Sequence, residues 1–370
     1  MKEQYYTLEA ILDKAPEAKY YVIFGERSNG KTFSVLNYGI DRFLKNREQL
    51  AIIRRYKEDF QGNNAQSMFN MFLANDKKGN IIEKKTRGMW NEVVYKNRMW
   101  FFAHVNENGE KDRVDDTPFA YRFSLTEAEH GKSISYPRIT TILFDEFLTR
   151  EYYLQDEFVT FSNVLSTIIR DRDNVKIFMC GNTINKYCPY FSEMGLTNVR
   201  KMKKGTIDVY EYGESSLRVA VEYSDFPAKK KKSDVYFAFD NPKLKMITSG
   251  DWEISIYPHL PARYERSNVI YEYFIEFEKE TLHAEIVDVN ETIFTYIHRK
   301  TTPIRDDGTS LIFSQEINPR PNHSRNIGKP VTELERKIAG FFVREKVFYQ
   351  DNEVGEIVNN FLKWSRTNTR

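Results

Sequence analysis

Four short apolar runs divide the first 200 residues of the chain into alternating segments. The runs are rich in β-branched and aromatic residues, as buried strands are, and they lie at residues 20–24, 50–53, 138–147 and 175–180. Between them, apolar residues recur at helical spacing from Lys31 to Asn46 and again over 158–169. A further short helix is predicted before Pro16. Strands that alternate with helices predict an α/β fold with a parallel sheet.

The rest of the chain has a different pattern. Residues 201–234 are polar and lysine-rich, which is typical of a linker or lid. Strand signals joined by short polar turns then predict a largely antiparallel sheet, and they lie at 235–239, Val269–Phe277, 282–289, 293–298 and Leu311–Ser314. Helices are predicted near 332–344 and 353–364. We therefore expect a first domain over 1–200, the linker, and a smaller α+β domain over 235–370.

The residues between the first apolar run and the first long helix carry the strongest chemical signal. They read Gly-Glu-Arg-Ser-Asn-Gly-Lys-Thr over 25–32 and fit the P-loop pattern G-x-x-x-x-G-K-[ST]. A strand, a glycine loop and a helix N-terminus direct backbone N–H groups at one small volume, which favours a phosphate. Lys31 is expected to reach the β- and γ-phosphates of a nucleotide, and Thr32 to hold Mg²⁺. The other loop residues expected to bind the nucleotide are Gly25, Ser28, Asn29 and Gly30.

The apolar run over 138–147 contains two acids near its end, Asp145 and Glu146. Such a pair complements a P-loop, because ligands of open α/β sheets bind outside the carboxyl ends of the strands. Asp145 is expected to hold Mg²⁺ through water beside Thr32. Glu146 is expected to position or deprotonate the attacking water. A glutamate at this place indicates a water-activating ATPase rather than a GTPase, so ATP and Mg²⁺ are the expected ligands.

Basic residues follow the second apolar run and recur further along the chain. Arg54, Arg55 and Lys57 either face phosphates or a neighbouring subunit, or they form a solvated turn. A hairpin is predicted from strands at 92–95 and 98–105, with alternating basic and aromatic side chains around it. These side chains are Lys84, Lys85, Arg87, Trp90, Lys96, Arg98 and Trp100. The mix suits contact with a nucleic-acid backbone, although hairpins of this kind are more often simply half buried.

Candidate residues also flank the fourth apolar run. Asn182 follows this strand, where its side chain can sense a γ-phosphate through a hydrogen bond. Arg170 precedes the strand and suits an arginine finger that enters the site of an adjacent subunit. The alternative for Arg170 and Arg172 is a surface salt-bridge network with the aspartates beside them.

Composition changes these expectations little. The chain has 370 residues, of which 41% are hydrophobic and 29% charged, so two globular domains are expected. Cys180 and Cys188 are too few for a disulfide framework, which favours a reducing cytoplasm. No stretch approaches the ~20 apolar residues of a membrane span. The net charge is only +2, so contacts with nucleic acid must come from local clusters such as the lysine runs at 200–204 and 229–232.

Taken in order, these segments resemble the double-stranded DNA packaging ATPases of small podophages, the phi-twenty-nine type. The resemblance spans about residues 20–191 and rests on the P-loop, Ile-Ile-Arg-Arg-Tyr-Lys over 52–57, Phe-Asp-Glu-Phe over 144–147, Arg-Asp-Arg over 170–172, Gly181-Asn182 and 185–191. It implies an additional-strand, conserved-glutamate ATPase core. It also implies a ring of identical subunits, in this family a pentamer on the prohead portal, which hydrolyses ATP and pushes duplex DNA through the ring. The implied location is the host cytoplasm, transiently at the portal. The trans-acting finger of the family falls on Arg170.

The resemblance further implies that the second half is an RNase-H-like domain that lacks nuclease activity. A two-metal nuclease needs several converging carboxylates for metals ~4 Å apart. Glu272 and Glu276 instead alternate outward on one predicted strand, and Asp288 ends the next strand alone, so we find no convincing metal cage and predict no nuclease. Two other functions stay open at this point. One is another nucleic-acid motor such as a helicase, and the other is an ATP-gated assembly module whose hydrolysis is incidental.

Overall fold

The computed structural model describes residues 5–76, 79–127, 134–213, 215–226, 252, 255–305 and 308–369. The predicted strand at 235–239 and the lysine run at 229–232 lie outside the described residues. The helices are α1 (Glu9–Lys14), α2 (Lys31–Asn46), α3 (Asn64–Ser67), α4 (Asn70–Leu73), α5 (Ile81–Lys85), α6 (Glu157–Ile169), α7 (Pro189–Glu193), α8 (Glu333–Val343) and α9 (Asn352–Asn368). Short 3-10 helices lie at Lys57–Phe60, Leu125–Glu127, Val199–Lys201 and Arg266–Asn268.

The described strands fall into two sheets. Those of the first sheet are β1 (Tyr20–Gly25), β2 (Gln49–Arg54), β3 (Glu92–Lys96), β4 (Met99–Val105), β5 (Lys111–Val114), β6 (Ala120–Ser124), β7 (Ile139–Asp145), β8 (Lys176–Asn182), β9 (Thr206–Glu211) and β10 (Arg218–Ser224). Those of the second sheet are β11 (Val269–Phe277), β12 (Glu280–Val289), β13 (Thr292–Arg299), β14 (Leu311–Ser314), β15 (His323–Ser324) and β16 (Val347–Tyr349).

The chain forms two compact units. The first contains the described residues within 1–149, 157–186 and 193–252, and the second those within 150–156, 187–192 and 253–370. Among the described helices, none is long and apolar enough to cross a membrane.

The first unit is built on a parallel sheet with antiparallel edges, which confirms the predicted α/β architecture. Its strand order is β3-β4-β6-β2-β7-β8-β1-β10-β9, and β5 pairs with β4 outside this path. The strands from β6 to β10 in that order run parallel to one another. Every residue of β7 is buried, as expected for a central strand covered on both faces. The order places β8 between β1 and β7, so the carboxyl ends of these strands lie side by side.

Parts of the first unit differ from the sequence-based expectation. The stretch 201–234 was expected to be a linker or lid, but β9 and β10 lie within it and extend the sheet beyond β1. Val219, Ala220 and Val221 of β10 are buried. This part of the expected linker is therefore a strand of the core. Residues 64–73 form two short helices, α3 and α4, rather than one continuous helix.

The hairpin β3–β4 forms as predicted, and its aromatic residue Trp100 is fully buried. The indole nitrogen of Trp100 donates to the backbone oxygen of Ala65 at 2.8 Å. The ring also packs edge-on against Phe69, with ring centroids 5.6 Å apart. Trp100 therefore belongs to the core and is not available as a nucleic-acid contact.

The second unit contains a mixed sheet in the order β15-β14-β11-β12-β13-β16. The strands β11, β12 and β13 form an antiparallel meander, whereas β14 runs parallel to β11 and β16 parallel to β13. Side chains alternate between the two faces of a strand. One face packs with α8 and α9 in a common core that includes Leu282, Ala284, Ile286, Ile297, Ile338, Val354, Ile357 and Phe361.

Candidate nucleotide-binding site

The carboxyl ends of three neighbouring strands bring the predicted site residues together. Gly25 at the end of β1 is paired with Asn182 at the end of β8. Asp145 at the end of β7 is paired with Cys180 of the same β8. The P-loop leaves β1 at this edge and returns as α2, which begins at Lys31. Lys31, Asp145 and Asn182 therefore lie at one edge of the sheet, where the sequence predicted the site.

The P-loop has backbone geometry that requires glycine at two positions. Gly30, the residue before α2, has φ of 101°, which is left-handed and favours glycine. A Cβ atom on Gly25 would lie 2.8 Å from the backbone oxygen of Ser224 in β10, closer than a side chain tolerates. Ser28 also has a positive φ, at 58°. These positions give the loop the tight curvature that exposes its backbone N–H groups to an anion.

Lys31 is buried and folded back onto the loop. Its Nζ donates to the backbone oxygen of Glu26 at 2.6 Å and to Asn29 Oδ1 at 3.1 Å. A longer contact of 3.5 Å reaches Asn182 Oδ1. Burial lowers the pKa of Lys31 to about 8, although the nearby acids, including Asp145, act in the opposite direction. The ammonium is thus held by neutral oxygen atoms in these three contacts. A bound phosphate would place a full negative charge beside it and so stabilise its charged form, which burial disfavours.

The expected magnesium ligands are in direct contact. Thr32 Oγ1 donates to Asp145 Oδ1 at 2.7 Å, which joins the start of α2 to the end of β7. Arg54 binds both acids of the motif, with Nη2 at 2.5 Å from Asp145 Oδ2 and Nη1 at 2.8 Å from Glu146 Oε2. The side chain of Asp145 is buried, whereas that of Glu146 is 62% exposed. Arg54 therefore lies in the crevice, where it neutralises the acids in this structure.

Arg55 has a different role from its neighbour and does not face phosphates. It is buried, and its Nε binds the carboxylate of Glu157 in α6 at 2.9 and 3.0 Å. Its Nη atoms donate to the backbone oxygens of Glu146 at 3.3 Å and Phe147 at 2.8 Å. Glu146 has φ of 59°, a strained conformation for a residue other than glycine. Arg55 thus holds the turn that carries the predicted catalytic glutamate.

The sequence did not reveal that the N-terminal segment and β10 support the P-loop. The Tyr6 N–H donates to the backbone oxygen of Asn29 at 3.0 Å, and its hydroxyl donates to Glu222 Oε2 at 2.6 Å. Asn29 also donates to Ser224 Oγ at 3.4 Å. Burial raises the pKa of Glu222, while the Tyr6 hydroxyl acts to lower it. A single glutamate within the apolar run of β10 was the available signal.

A cavity of about 460 Å³ opens beside the P-loop. Ser28, Asn29, Gly30, Lys31, Thr32 and Asn182 form its polar side. Its other side is apolar and is lined by Tyr5, Phe33, Met71 and Ile81. The volume lies within the ~300–1,000 Å³ range of small-molecule sites. An aromatic and aliphatic wall beside a phosphate loop suits the base of a nucleotide.

The remaining basic candidates lie away from this cavity. The side chain of Lys57 is exposed, and its backbone N–H donates to Thr126 Oγ1 at 3.1 Å. Arg172 donates to the backbone oxygens of Ile139 at 2.5 Å and Ile168 at 2.8 Å, which is a structural role. Arg170, which follows α6, is exposed and donates to Ile134 O at 3.2 Å.

The connection between β7 and β8 fixes the edge of the sheet at which Arg170 lies. These strands are parallel neighbours, so the connection between them, which contains α6, must return the chain from the carboxyl-terminal edge of the sheet to the amino-terminal edge. The end of α6, with Arg170 just after it, therefore lies at the amino-terminal edge of the sheet. Lys31 lies at the opposite, carboxyl-terminal edge, so Arg170 cannot reach the P-loop of its own subunit.

The chain is similar to DNA packaging proteins of two Bacillus phages. The "DNA packaging protein" of Bacillus phage B103 is 26% identical over 248 residues, which cover 59% of this chain and 69% of that protein. The "DNA packaging protein" of Bacillus phage phi29 is 27% identical over 247 residues, which cover 59% and 67%.

A solved structure and a family profile extend the similarity over most of the chain. The structure of the bacteriophage Phi-29 viral genome packaging motor assembly has the same fold, with a TM-score of 0.57 and 20% identity over 98% of this chain and 99% of that one. The profile of the Podovirus DNA encapsidation protein (Gp16) family matches residues 1–304. The chain therefore belongs to the Podovirus DNA encapsidation protein (Gp16) family.

Proposed function

We propose that this protein is the ATPase of a viral genome-packaging motor, which couples ATP hydrolysis to the movement of double-stranded DNA into a prohead. Membership of the DNA encapsidation family supports the packaging role. The observation that carries the ATPase role is the contact of Thr32 with Asp145 at 2.7 Å, with Lys31 buried in the same loop. This is the arrangement that a P-loop ATPase needs at the junction of its phosphate and metal sites.

The residues present fit ATP and Mg²⁺. Backbone N–H groups of the P-loop and Lys31 would hold the phosphates, and Thr32 and Asp145 would hold the metal. The apolar wall that includes Tyr5 and Phe33 would cover the base. Magnesium neutralises charge on the phosphates when it is bound. The order of β7, β8 and β1 supports assignment to the additional-strand class.

Glu146 is the proposed general base for the attacking water. Its side chain is exposed and lies at the tip of β7, one residue beyond the metal ligand Asp145. Arg54 holds the carboxylate of Glu146 in an ion pair at 2.8 Å in this structure, so one carboxylate oxygen is already engaged before a water molecule is positioned. We therefore propose that Arg54 keeps Glu146 inactive until a nucleotide is bound. Asn182 is the proposed sensor of the γ-phosphate, because it reaches Lys31 at the edge of the cavity.

We propose that the subunits form a ring, a pentamer at the prohead portal, in which Arg170 completes the site of a neighbour. Its exposure and its place at the amino-terminal edge of the sheet support a role in trans rather than in its own subunit. Such a finger contributes ~10³–10⁵ in rate.

Mixed rings test this role. Subunits with Arg170→Ala and subunits with Glu146→Gln should each be inactive alone. Mixing them creates interfaces that pair an intact finger with an intact site, so ATP hydrolysis should partly return. Arg172→Ala is the matched control, because it removes a structural arginine but keeps both Arg170 and Glu146; any activity it loses should not return when it is mixed with Glu146→Gln subunits. No recovery on mixing would argue against a trans finger.

The second unit is proposed to be an RNase-H-like domain without nuclease activity. Its mixed sheet supports the fold, because an antiparallel meander is followed by β14, which runs parallel to the first strand of the meander. The ATPase domain is proposed to cover the first unit, which includes β9 and β10 and so does not end at residue 200, and the RNase-H-like domain is proposed to lie within 253–370. Residues 201–204, with their lysines, are proposed to contact DNA together with the hairpin residues Lys96 and Arg98.

The main test uses duplex DNA and purified proheads with their portals. ATP hydrolysis should rise when both are added, and duplex should move without being opened. Unwinding in a strand-separation assay would favour the helicase alternative. Hydrolysis that is unaffected by DNA and portals would favour an assembly module. If the DNA contacts are mostly to phosphates, affinity should fall steeply with salt and vary little with sequence.

A further inference from the structure

Two histidines and a glutamate converge on one face of the second sheet. His283 and Glu285 alternate with the core residues Leu282, Ala284 and Ile286 along β12, so they point to the face opposite α8 and α9. His298 of β13 is the direct cross-strand partner of His283, and their ring centroids are 4.9 Å apart. The ligand atoms of His283, Glu285 and His298 all lie within 4.8 Å of one another.

The ring of His298 is oriented by the backbone. Its Nδ1 lies 3.0 Å from the oxygen of Arg299, so this nitrogen is the donor and carries the proton. The other nitrogen, Nε2, then faces Glu285 Oε2 at 3.6 Å. Histidines that bind metals are commonly oriented in this way, by a hydrogen bond from the nitrogen that does not bind the metal.

His283 has an equivalent orienting partner. Its Nε2 lies 2.9 Å from Glu272 Oε2 on the adjacent strand β11. The ring also stacks on Phe274, with centroids 5.0 Å apart, and this contact fixes its plane. His283, Glu285 and His298 are each only partly exposed. The three side chains are thus held in place on paired strands rather than on a mobile loop.

We propose that His283, Glu285 and His298 bind a divalent transition-metal ion of the zinc class. Two imidazole nitrogens and one carboxylate are a ligand set that zinc commonly takes, and zinc often completes such a set with a water molecule. A hard cation such as Mg²⁺ prefers oxygen ligands, so this site differs in chemistry from the P-loop. The spacing of these residues along the chain does not mark them as a set, because they meet only when β12 pairs with β13.

Neighbouring groups determine how the metal enters. Arg266 Nη1 lies 3.3 Å from Glu285 Oε1 and also contacts Glu272, and the hydroxyl of Tyr264 contacts Glu285 Oε2. A metal on Glu285 must therefore displace the Tyr264 contact or share the carboxylate with it. Arg266 is 72% exposed in its side chain, so it can move into solvent when the cation enters.

The test uses the full chain, stripped with a chelator and free of nucleotide, and titrated with Co²⁺ and Zn²⁺. We expect roughly one Co²⁺ per chain, with visible absorption bands that Zn²⁺ abolishes by replacement. His283→Gln and His298→Gln keep the size and polarity of the side chains and should each weaken binding at least ~10-fold. His259→Gln is the matched control, because His259 is exposed in the same unit, and it should bind as the unchanged protein does.

A second measurement needs no variant. Zn²⁺ should protect His283 and His298, but not His259, from acylation by diethyl pyrocarbonate, as read by peptide mass spectrometry. The proposal is overturned if the unchanged protein gives no Co²⁺ bands, if both glutamine variants bind normally, or if Zn²⁺ protects neither histidine. None of these results would bear on the ATPase proposal, because Lys31 and Asp145 are unchanged throughout.

Discussion

Replacing Arg55 by methionine should separate the stability of the fold from the positioning of Glu146, the proposed catalytic base. Arg55 makes two kinds of contact. Its Nε binds the Glu157 carboxylate at 2.9 Å, and its Nη atoms hold the backbone oxygens of Glu146 and Phe147. Glu157→Gln is the matched variant, because it removes the charge pair but leaves Arg55 in contact with the turn.

The expected loss of stability is large and similar for the two variants. Arg55 and Glu157 are 6% and 2% exposed, so either variant removes one charge of a buried ion pair. Breaking a buried pair in this way costs ~3–5 kcal/mol. A typical folded protein has only ~5–15 kcal/mol in total, so both variants should unfold at clearly lower urea concentrations.

The expected effects on catalysis differ. Glu146 has φ of 59°, and strain of this kind, worth ~1–3 kcal/mol, persists only while neighbouring groups hold it. Without Arg55 the turn can relax and move the Glu146 carboxylate, and a shift of about 1 Å can cost ~10²-fold in rate. We therefore expect kcat for ATP to fall ~10²-fold in Arg55→Met with little change in ATP affinity. Glu157→Gln should keep a kcat close to that of the unchanged protein.

The assay is steady-state ATP hydrolysis below the unfolding temperature of both variants, with urea unfolding followed by circular dichroism. Equal losses of kcat in the two variants would show that the rate follows general stability. A normal kcat in Arg55→Met would refute the reasoning that Arg55 positions Glu146.

Two further predictions concern groups around the P-loop. Burial lowers the pKa of Lys31 from 10.5 to about 8. Between pH 8 and 10.5 the unfolded state therefore binds more protons than the folded state. The nucleotide-free protein should accordingly gain stability as pH rises from 8 towards 10.5. Above pH 8 the Lys31 amine of the empty site is mostly neutral, so ATP binding must take up a proton. ATP affinity, measured by calorimetry, should therefore fall as pH rises. Lys31→Met should remove both pH dependences. Tyr6→Phe should cost ~1.5–3 kcal/mol in urea unfolding, because the buried carboxylate of Glu222 loses its donor. Unchanged stability would contradict the role given to the Tyr6 hydroxyl.

The sequence predicted well that the residues of the crevice come together, because the parts that carry them are local. The P-loop is one continuous stretch, and Asp145 and Glu146 directly end a strand whose run of apolar residues indicates burial. Parallel strands bring such ends to one edge, so Lys31 and Asp145 could be placed together without coordinates. A helix was predicted from near Lys31 to about Asn46, and the structure has it at Lys31–Asn46.

The supports of the site could not be predicted in the same way. Tyr6 and Glu222 are 216 positions apart in the chain, and no local pattern indicates that they meet. The strand β10 lies in a polar stretch, so its short apolar run was overlooked. Arg54 and Arg55 are adjacent in sequence, yet β2 directs one to the acids of the crevice and the other to Glu157, and only the packing of α6 distinguishes them.

The most direct test of the ATPase account is the Glu146→Gln protein, assayed with Mg²⁺ for both ATP binding and ATP hydrolysis. The crevice described here predicts ATP binding as tight as in the unchanged protein, because the phosphate and metal ligands are intact. It also predicts a loss of ~10²–10⁴-fold in turnover, because the base is missing. Normal turnover would contradict the role of Glu146, and loss of binding together with turnover would contradict the division of the site into binding and catalytic residues.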